Sequence, residues 1–295
     1  MKLNYLLLDV FTRTPLAGNQ LAVVLKADGL LDGEMQAIAR EFNLSETVFV
    51  LKPHGERNTA AIRIFTPHEE LPFAGHPTIG AAVVLGLSKK ASAVRIEEKI
   101  GLVTALFEKL DRRSGEARFG LPRLPGRIAE LPDRLAIAQA LGIEVDDIGC
   151  QAYQPAVFSA GVHFHLVPVR NADVLRRIAV NPAAWHAAFR HEHHSAYVFT
   201  LTPDEPDNDL AARMFGMGVG EDPGTGSAAA ALIGLLSEQA LLATGQTDFV
   251  LRQGHEMGRP CRIAIQFRKD QGELVHGAIG GQAIVVGEGE LDLGD

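Results

Sequence analysis

Hydrophobic and polar positions alternate along this chain in a pattern that predicts many short strands and few helices. Residues 3–10 form an apolar run of the length of a buried strand, and residues 60–65 alternate as a half-buried strand does. Residues 77–87 and 228–236 are uncharged and apolar on every side, which predicts two buried helices. The other predicted strands are 21–25, 47–51, 93–107 and 116–121, and the other predicted helices are 32–42, capped by Asp32, and 133–141, ended by Gly142.

The second half of the chain repeats the first. Residues 195–200 repeat residues 45–50, an offset of 195 − 45 = 150, and residues 211–215 repeat 61–65 at the same offset. One inserted residue later, 221–228 matches 70–77, and a predicted apolar helix follows in both places. Because several blocks recur in one order, we infer an internal duplication.

A proline-rich segment separates the two copies. Pro122, Pro125, Gly126 and Pro132 fall within a short stretch, which is typical of a linker between domains. We therefore predict an α+β protein of two pseudo-symmetric domains, at residues 1–122 and 128–281, each a mostly antiparallel curled sheet or barrel around a central helix.

Composition narrows the functional classes. The chain has 295 residues, 46% of them hydrophobic and 22% charged, with a formal net charge of −8, so disorder, collagen and coiled coils are excluded. A net negative chain has no general attraction for nucleic acid. Two cysteines, Cys150 and Cys261, are too few for a disulfide framework and fit a reducing compartment. No targeting or membrane-spanning segment is predicted, so we expect a cytoplasmic protein without a membrane partner.

Both predicted buried helices begin directly after a glycine, at Gly75 in the first copy and at Gly226 in the second. A helix start presents unpaired N–H groups and a partial positive charge, so these two glycines, with His76 and Ser227 beside them, are candidates for binding a small carboxylate. The alternative is that glycine and serine there are ordinary turn and capping residues.

The chemically reactive candidates differ between the two copies. Glu46 opens a strand among apolar neighbours, which is expected to raise its pKa and suit it to take and give a proton. His76 at a helix start is expected to stay neutral and could help in proton transfer. Asp222 precedes Pro223 and could belong to a turn, as Glu46 could be a solvated strand-edge residue. The counterparts of Glu46, His76 and Asp222 are Ala196, Ser227 and Leu71.

A metal site is not predicted. His191, His193 and His194 form a dense cluster, and His163 and His165 share a strand face, but the polar neighbours of the cluster favour an exposed loop. No nucleophile elbow, P-loop or dinucleotide-binding fingerprint is present in the sequence.

Several blocks together resemble the phenazine-biosynthesis PhzF family, within the wider diaminopimelate-epimerase-like fold. The blocks are Gly18-Asn19-Gln20-Leu21-Ala22-Val23, Ser45-Glu46-Thr47-Val48-Phe49, residues 70–78, residues 221–228, residues 253–260 and Gly280-Gly281. The resemblance implies a cofactor-independent isomerase, usually a homodimer, with its site in the cleft between the two domains. It also implies that the last segment, about 282–295, rejoins the first domain.

The resemblance assigns roles as well. The residue matching Glu46 shuttles a proton on one face of the substrate, and those matching His76, Asp222 and Ser227 bind the substrate or help to move the proton. Racemases and epimerases of the wider fold carry a cysteine in each half, where this chain has Pro72 and Pro223. A two-thiol racemase is therefore not expected.

The leading hypothesis is a cofactor-independent isomerase that uses Glu46 as acid and base on a small carboxylate-bearing substrate. Two alternatives stay open at this point. One is a non-catalytic or regulatory protein that binds a small anion on the same fold. The other is an epimerase that uses Glu46 and Asp222 as its two bases.

Overall fold

The computed structural model of the chain describes residues 1–130, 133–190, 195–203, 208–216, 220–239 and 243–294. It forms two compact units, one of Met1–Pro122 with Ile279–Asp295 and one of Arg123–Ala278. Within the described residues, no helix is long and apolar enough to cross a membrane. The candidate cluster of His191, His193 and His194 lies outside the described residues.

The first unit is a closed barrel around one helix. Its elements are β1 (Lys2–Val10), β2 (Asn19–Val24), α1 (Asp32–Phe42), β3 (Glu46–Leu51), β4 (Ala60–Phe65), β5 (Glu70–Leu71), α2 (Gly75–Lys89), β6 (Ala93–Glu98), β7 (Gly101–Lys109) and β8 (Ser114–Gly120). The chain's last strand, Glu273–Asp292, enters this unit at Ile279 and pairs with both β8 and β1. Eight strands therefore close a ring, in the order β1, β2, β3, β4, β6, β7, β8 and the last strand.

Helix α2 lies inside this ring, in contact with β1, β2, β3, β6, β7 and β8. Its residues are buried without interruption from Gly75 to Gly86. A helix without a polar face is stable only when strands cover it on every side, which is why this uncharged segment forms the centre of the unit.

The second unit repeats this plan. Its elements are β9 (Gly126–Glu130), α3 (Arg134–Leu141), β10 (Ala156–Ser159), β11 (His163–Pro168), α4 (Ala172–Arg177), α5 (Pro182–Ala188), β12 (Ser195–Leu201), β13 (Leu210–Gly216), β14 (Gly220–Asp222), α6 (Gly226–Gln239), β15 (Gly245–Gln253) and β16 (Cys261–Asp270). The last strand of the chain is β17. Helix α6 contacts β9, β10, β11 and β16, as α2 contacts the strands of its own barrel.

Strand pairing in the two units confirms the duplication. The pairs β1–β2 and β10–β11 are antiparallel, and β2–β3 and β11–β12 are parallel. The pairs β3–β4 and β12–β13 are antiparallel, β4–β6 and β13–β15 are parallel, and β6–β7 and β15–β16 are antiparallel. The predicted α+β fold of two pseudo-symmetric halves, each wrapped around a helix, is therefore correct.

One side-chain pair marks the repeat directly. Arg63 Nε donates to Glu70 Oε1 at 2.8 Å, and Arg213 Nε donates to Glu221 Oε1 at 2.8 Å. Each guanidinium also lies over a phenylalanine ring two residues further along its own strand. The spacing is seven residues in the first unit and eight in the second, which agrees with the one inserted residue in the sequence alignment.

Several predicted boundaries need correction. The segment 93–107 forms two strands, because Gly101, at φ +132°, supports a turn that interrupts the apolar alternation. The predicted proline-rich linker is partly a strand, because it contains β9, which lies between Pro125 and Pro132 in the sequence and pairs with β10. Asp32 is the first helical residue of α1 and Leu31 is its N-cap. Asp133, predicted to begin the next helix, is instead the N-cap of α3, and Gly142 ends that helix as predicted.

Helix α2 begins two residues earlier than predicted, at Gly75, and ends at Lys89. Pro77 still falls in the first helical turn, where a missing N–H group breaks no intrahelical bond. The earlier start matters because it places His76 on the helix itself.

Two glycine-to-alanine substitutions are expected to change stability in opposite directions. A Cβ at Gly86 would lie 2.3 Å from Cγ of the buried Phe107 ring, whereas a Cβ at Gly33 in α1 would meet nothing within 4 Å. Gly86→Ala should therefore lower the free energy of unfolding by about 1–3 kcal/mol through overpacking. Gly33→Ala should raise it by about 0.5–1 kcal/mol through helix propensity. Urea unfolding of both variants measures the difference, and a Gly86→Ala variant as stable as Gly33→Ala would contradict this packing.

Candidate active site

Glu46 is the first residue of β3, where the strand emerges from the barrel wall. It lies opposite Leu21 of the parallel strand β2, and its side chain is 17% exposed. The next two residues, Thr47 and Val48, are buried. The strand therefore fixes the Glu46 backbone in the barrel while its side chain stays partly accessible, with Oε2 buried against His76.

His76 comes from the central helix and meets Glu46. Its ring is only 3% exposed, and its Nδ1 atom lies 3.4 Å from Glu46 Oε2. The side-chain nitrogen of Asn19, at the start of β2, lies 3.4 Å from the same His76 Nδ1 atom. Three elements, β2, β3 and α2, thus bring an amide, a carboxylate and an imidazole together, and the structure places two predicted site residues side by side.

The two neighbours of His76 Nδ1 have opposite hydrogen-bonding character. The Asn19 amide nitrogen is a donor, and the Glu46 carboxylate is an acceptor. With its proton on Nε2, a neutral His76 accepts at Nδ1 from Asn19. The 3.4 Å approach of Glu46 Oε2 to the same atom is an ion-pair contact and not a hydrogen bond, so it strengthens when the ring takes up a proton. Such an imidazole can take up and return a proton as protons move through the site.

The start of α2 is suited to an anion. Its N-cap residue, Ala74, has no side chain that could accept from the first N–H groups of the helix. The first two helical residues, Gly75 and His76, are buried. The positive end of the helix dipole favours negative charge here, and it disfavours a cationic His76.

In the second unit, Asp222 lies just before helix α6. Asp222 ends β14 with 9% of its surface exposed, and its Oδ2 accepts from Thr225 Oγ1 at 2.5 Å. Gln253 donates to the Asp222 carbonyl at 2.8 Å and to Thr225 Oγ1 at 3.0 Å, and it accepts from the Thr225 N–H at 3.1 Å. The loop before α6 is thereby tied down at both ends.

The remaining predicted binding residues begin α6. Gly226 is its first residue and is buried, and Ser227 follows with a half-buried side chain. Asp222, Gly226 and Ser227 therefore lie around one helix start in the second unit, as His76 and Gly75 do in the first. In the first unit Glu46 lies opposite Leu21, and in the second unit Ala196 lies opposite His165 at the equivalent position. The second unit therefore has no carboxylate at this position.

Three residues of these arrangements were not singled out individually from the sequence. Asn19 is named only within the sequence block 18–23, although it begins the strand that is parallel to that of Glu46. Thr225 and Gln253 were noted only within longer blocks. A position-by-position comparison of the two copies could have found Gln253. It ends its strand and lies close to the start of helix α6, as the equivalent residue of the first copy does at the start of α2.

His165 and the two cysteines lie away from both helix starts. His165 is fully buried, with Nδ1 2.7 Å from the Ser195 carbonyl and its ring against Phe189. Among the described residues, no group of three or more His, Cys, Asp and Glu residues could hold a metal ion. Cys150 and Cys261 are buried and form no disulfide, and neither stands at the start of α2 or α6.

Comparison with known proteins gives a consistent result. The family described as phenazine biosynthesis-like protein matches residues 8–289. An uncharacterized isomerase of Mesorhizobium japonicum is 41% identical over 98% of both chains. The trans-2,3-dihydro-3-hydroxyanthranilate isomerase of Pseudomonas fluorescens is 35% identical over 98% of this chain and 99% of the relative. Among solved structures, a PhzF-family phenazine biosynthesis protein of Bacillus anthracis superposes with a TM-score of 0.87 at 26% identity, covering 99% of this chain and all of that one.

Proposed function

Because the chain belongs to the family of phenazine biosynthesis-like (PhzF) proteins and is an isomerase, we propose that it moves a proton within a small carboxylate-bearing substrate, with Glu46 as the proton carrier. The reaction needs no cofactor, since an isomerisation of this kind takes one proton from a carbon and returns one to another atom of the same molecule. The contact between Glu46 and His76 is the observation that carries the proposal.

Glu46 acts first as base and then as acid. Its carboxylate removes a proton from a substrate carbon, the electron pair shifts into the conjugated system, and the carboxyl then protonates a different atom on the same face. Acid–base catalysis of this kind contributes about 10²–10⁴-fold to a rate. His76, in contact with both Asn19 and Glu46, positions the carboxylate and takes up and returns protons beside it.

The substrate class follows from the helix starts. The uncapped start of α2, with Gly75 and His76, favours a carboxylate on the substrate. We propose the same role for Gly226 and Ser227 at the start of α6, with Asp222 assisting proton transfer or binding. Trans-2,3-dihydro-3-hydroxyanthranilate, the compound named for the Pseudomonas fluorescens relative, carries a carboxylate and is the first candidate substrate.

The proposal is tested by incubating the purified protein with trans-2,3-dihydro-3-hydroxyanthranilate and following the compound by proton NMR. We expect the carbon-bound hydrogen to move without any added cofactor. Inversion of a stereocentre without movement of the double bonds would instead support the epimerase that uses Glu46 and Asp222. Binding without any conversion, for this compound and for related small carboxylates, would support an anion-binding protein.

We also propose a cytoplasmic homodimer. Cys150 and Cys261 are buried and form no disulfide, which is compatible with a reducing compartment, and the dimer is the usual assembly of the resembling family. Light scattering of the purified protein tests the assembly, because a dimer has twice the chain mass of 31.7 kDa.

A further inference from the structure

One buried carboxyl in the first unit takes no part in the proposed reaction. Glu98 is the last residue of β6, and only 8% of it is exposed. Its Oε1 atom lies 2.8 Å from Thr78 Oγ1 on the first turns of α2, two residues after His76. Its Oε2 atom is buried and has no hydrogen-bond partner among the described residues.

The hydroxyl of Thr78 indicates which state of Glu98 fits this geometry. Thr78 Oγ1 lies 2.8 Å from the Ala74 carbonyl oxygen as well as 2.8 Å from Glu98 Oε1. A hydroxyl has one proton to donate, and a carbonyl oxygen can only accept. Both contacts are hydrogen bonds when Thr78 donates to Ala74 and a protonated Glu98 donates to Thr78.

The surroundings of Glu98 agree with a neutral carboxyl. Burial raises the pKa of Glu98 to about 8, and the hydrogen bond with Thr78 offsets this only in part. The titratable residues on the elements packed against β6 are His76 and Lys89 on α2, Arg63 on β4, and Glu108 and Lys109 on β7. Arg63 is bound to Glu70, and Lys89 lies at the other end of α2. Glu108 and Lys109 lie beyond the opposite end of β6 from Glu98. Of these titratable residues, His76 is the nearest in sequence to Thr78.

The second copy has an amide at the same position. On β6, Ile96 and Glu97 pair with Ala60 and Ala61; on β15, Leu251 and Arg252 pair with residues 210 and 211, which are offset from 60 and 61 by 150. The next residue along is Glu98 in one copy and Gln253 in the other. Gln253 is neutral, and its amide bonds Asp222 and Thr225, which tie down the loop before α6.

We propose that Glu98 is a positioning residue for the acid–base pair: through Thr78 and Ala74 its carboxyl fixes the first turn of α2, and so holds His76 against Glu46, as the Gln253 amide fixes the turn before α6. The inference rests on the proposed roles of Glu46 and His76. Ionised Glu98 has no proton for Thr78, so the hydroxyl must then choose between Glu98 and Ala74, and the turn that carries His76 loosens.

The raised pKa of Glu98 makes the stability of the protein depend on pH. The folded protein keeps the Glu98 proton up to about pH 8, whereas the unfolded chain loses it near the ordinary pKa of 4.5. The contribution of Glu98 to stability is therefore complete below pH 4.5 and falls as pH rises from there to about 8. Glu98→Gln, which keeps a neutral side chain of nearly the same shape, should abolish this dependence.

The test follows the ring of His76 by NMR in protein labelled at histidine, with the signal assigned from a His76→Gln sample. In the wild type we expect the His76 shift to show an inflection near pH 8 that reports the ionisation of Glu98. Glu98→Gln should lack this inflection. Glu97→Gln is the matched control, because Glu97 binds His54, Gly55 and Asn58 and should leave the inflection unchanged. Coincident His76 curves for wild type and Glu98→Gln would overturn the proposal.

A second measurement uses only the wild-type protein, so it does not depend on whether a variant folds. In wild-type protein with carbon-13 in its glutamate carboxyl groups, one carboxyl should titrate near pH 8. If no glutamate carboxyl titrates near pH 8, the proposal is wrong. Neither measurement uses a substrate, so failure of the isomerase assay leaves both results interpretable, and failure here leaves the assay of Glu46 intact.

Discussion

Replacement of Glu46 by glutamine is expected to slow isomerisation by about 10²–10⁴-fold while the protein stays folded. Glutamine has nearly the same shape as glutamate but cannot accept a proton from carbon at neutral pH. Glu46 is 17% exposed and lies 3.4 Å from His76, and a glutamine of nearly the same volume leaves no cavity there. Turnover of trans-2,3-dihydro-3-hydroxyanthranilate, or of whichever carboxylate the wild type converts, measures the effect.

The matched control for this experiment is Glu69→Gln. Glu69 is an exposed glutamate of the same barrel whose backbone, not its side chain, bonds Thr66. Its substitution also removes one negative charge, so an effect of net charge would appear in both variants. We expect Glu69→Gln to turn over substrate at the wild-type rate. Equal rates for Glu46→Gln and wild type would remove Glu46 from the mechanism.

Loss of Arg213 is expected to have the largest effect on stability. Its guanidinium is 10% exposed and donates to both carboxylate oxygens of Glu221, each at 2.8 Å. It also donates to three carbonyl oxygens at the end of α4, those of Leu175, Arg176 and Ile178. Arg213→Met would leave a carboxylate and three carbonyls without their donor. Breaking a buried pair on one side costs about 3–5 kcal/mol.

The repeat supplies a matched control for this prediction. Arg63 makes the same two-pronged contact with Glu70, but it is 25% exposed and its third partner, Asp32, is 83% exposed. Water can replace Arg63 more easily, so Arg63→Met should lower the free energy of unfolding by only about 1–2 kcal/mol. Urea unfolding at neutral pH compares the two. An Arg63→Met variant as unstable as Arg213→Met, or more so, would contradict the proposed difference in burial.

Much of the fold could be predicted from residue patterns because the pattern occurs twice. The buried helices were visible as uncharged apolar segments, and the blocks around Glu46 and Arg63 recur 150 residues later, so the two halves could be aligned before any pairing was known. The pairing then follows the same order and sense in both units. Closure of the first barrel by β17 came only from the family resemblance, because no local pattern indicates which distant strand it joins.

The candidate site could be predicted in part for the same reason. Glu46 and His76 stand at a strand start and a helix start, where reactive groups have an evident physical use, and their contact agrees with that hypothesis. Asn19 could not be picked out of the block 18–23, because its contact with His76 depends on the distance between β2 and α2. Glu98 was also missed. A glutamate at the end of a strand reads as a solvated residue, and only its burial and its equivalence to Gln253 distinguish it.

The central claim, that Glu46 carries the proton, is tested most directly by exchange with solvent deuterium. Wild type, Glu46→Gln and Glu69→Gln are each incubated with trans-2,3-dihydro-3-hydroxyanthranilate in deuterium oxide, and deuterium at carbon is followed by NMR. We expect wild type and Glu69→Gln to incorporate deuterium at equal rates and Glu46→Gln to be slower by about 10²–10⁴-fold. Incorporation by Glu46→Gln as fast as by the wild type would show that another group moves the proton.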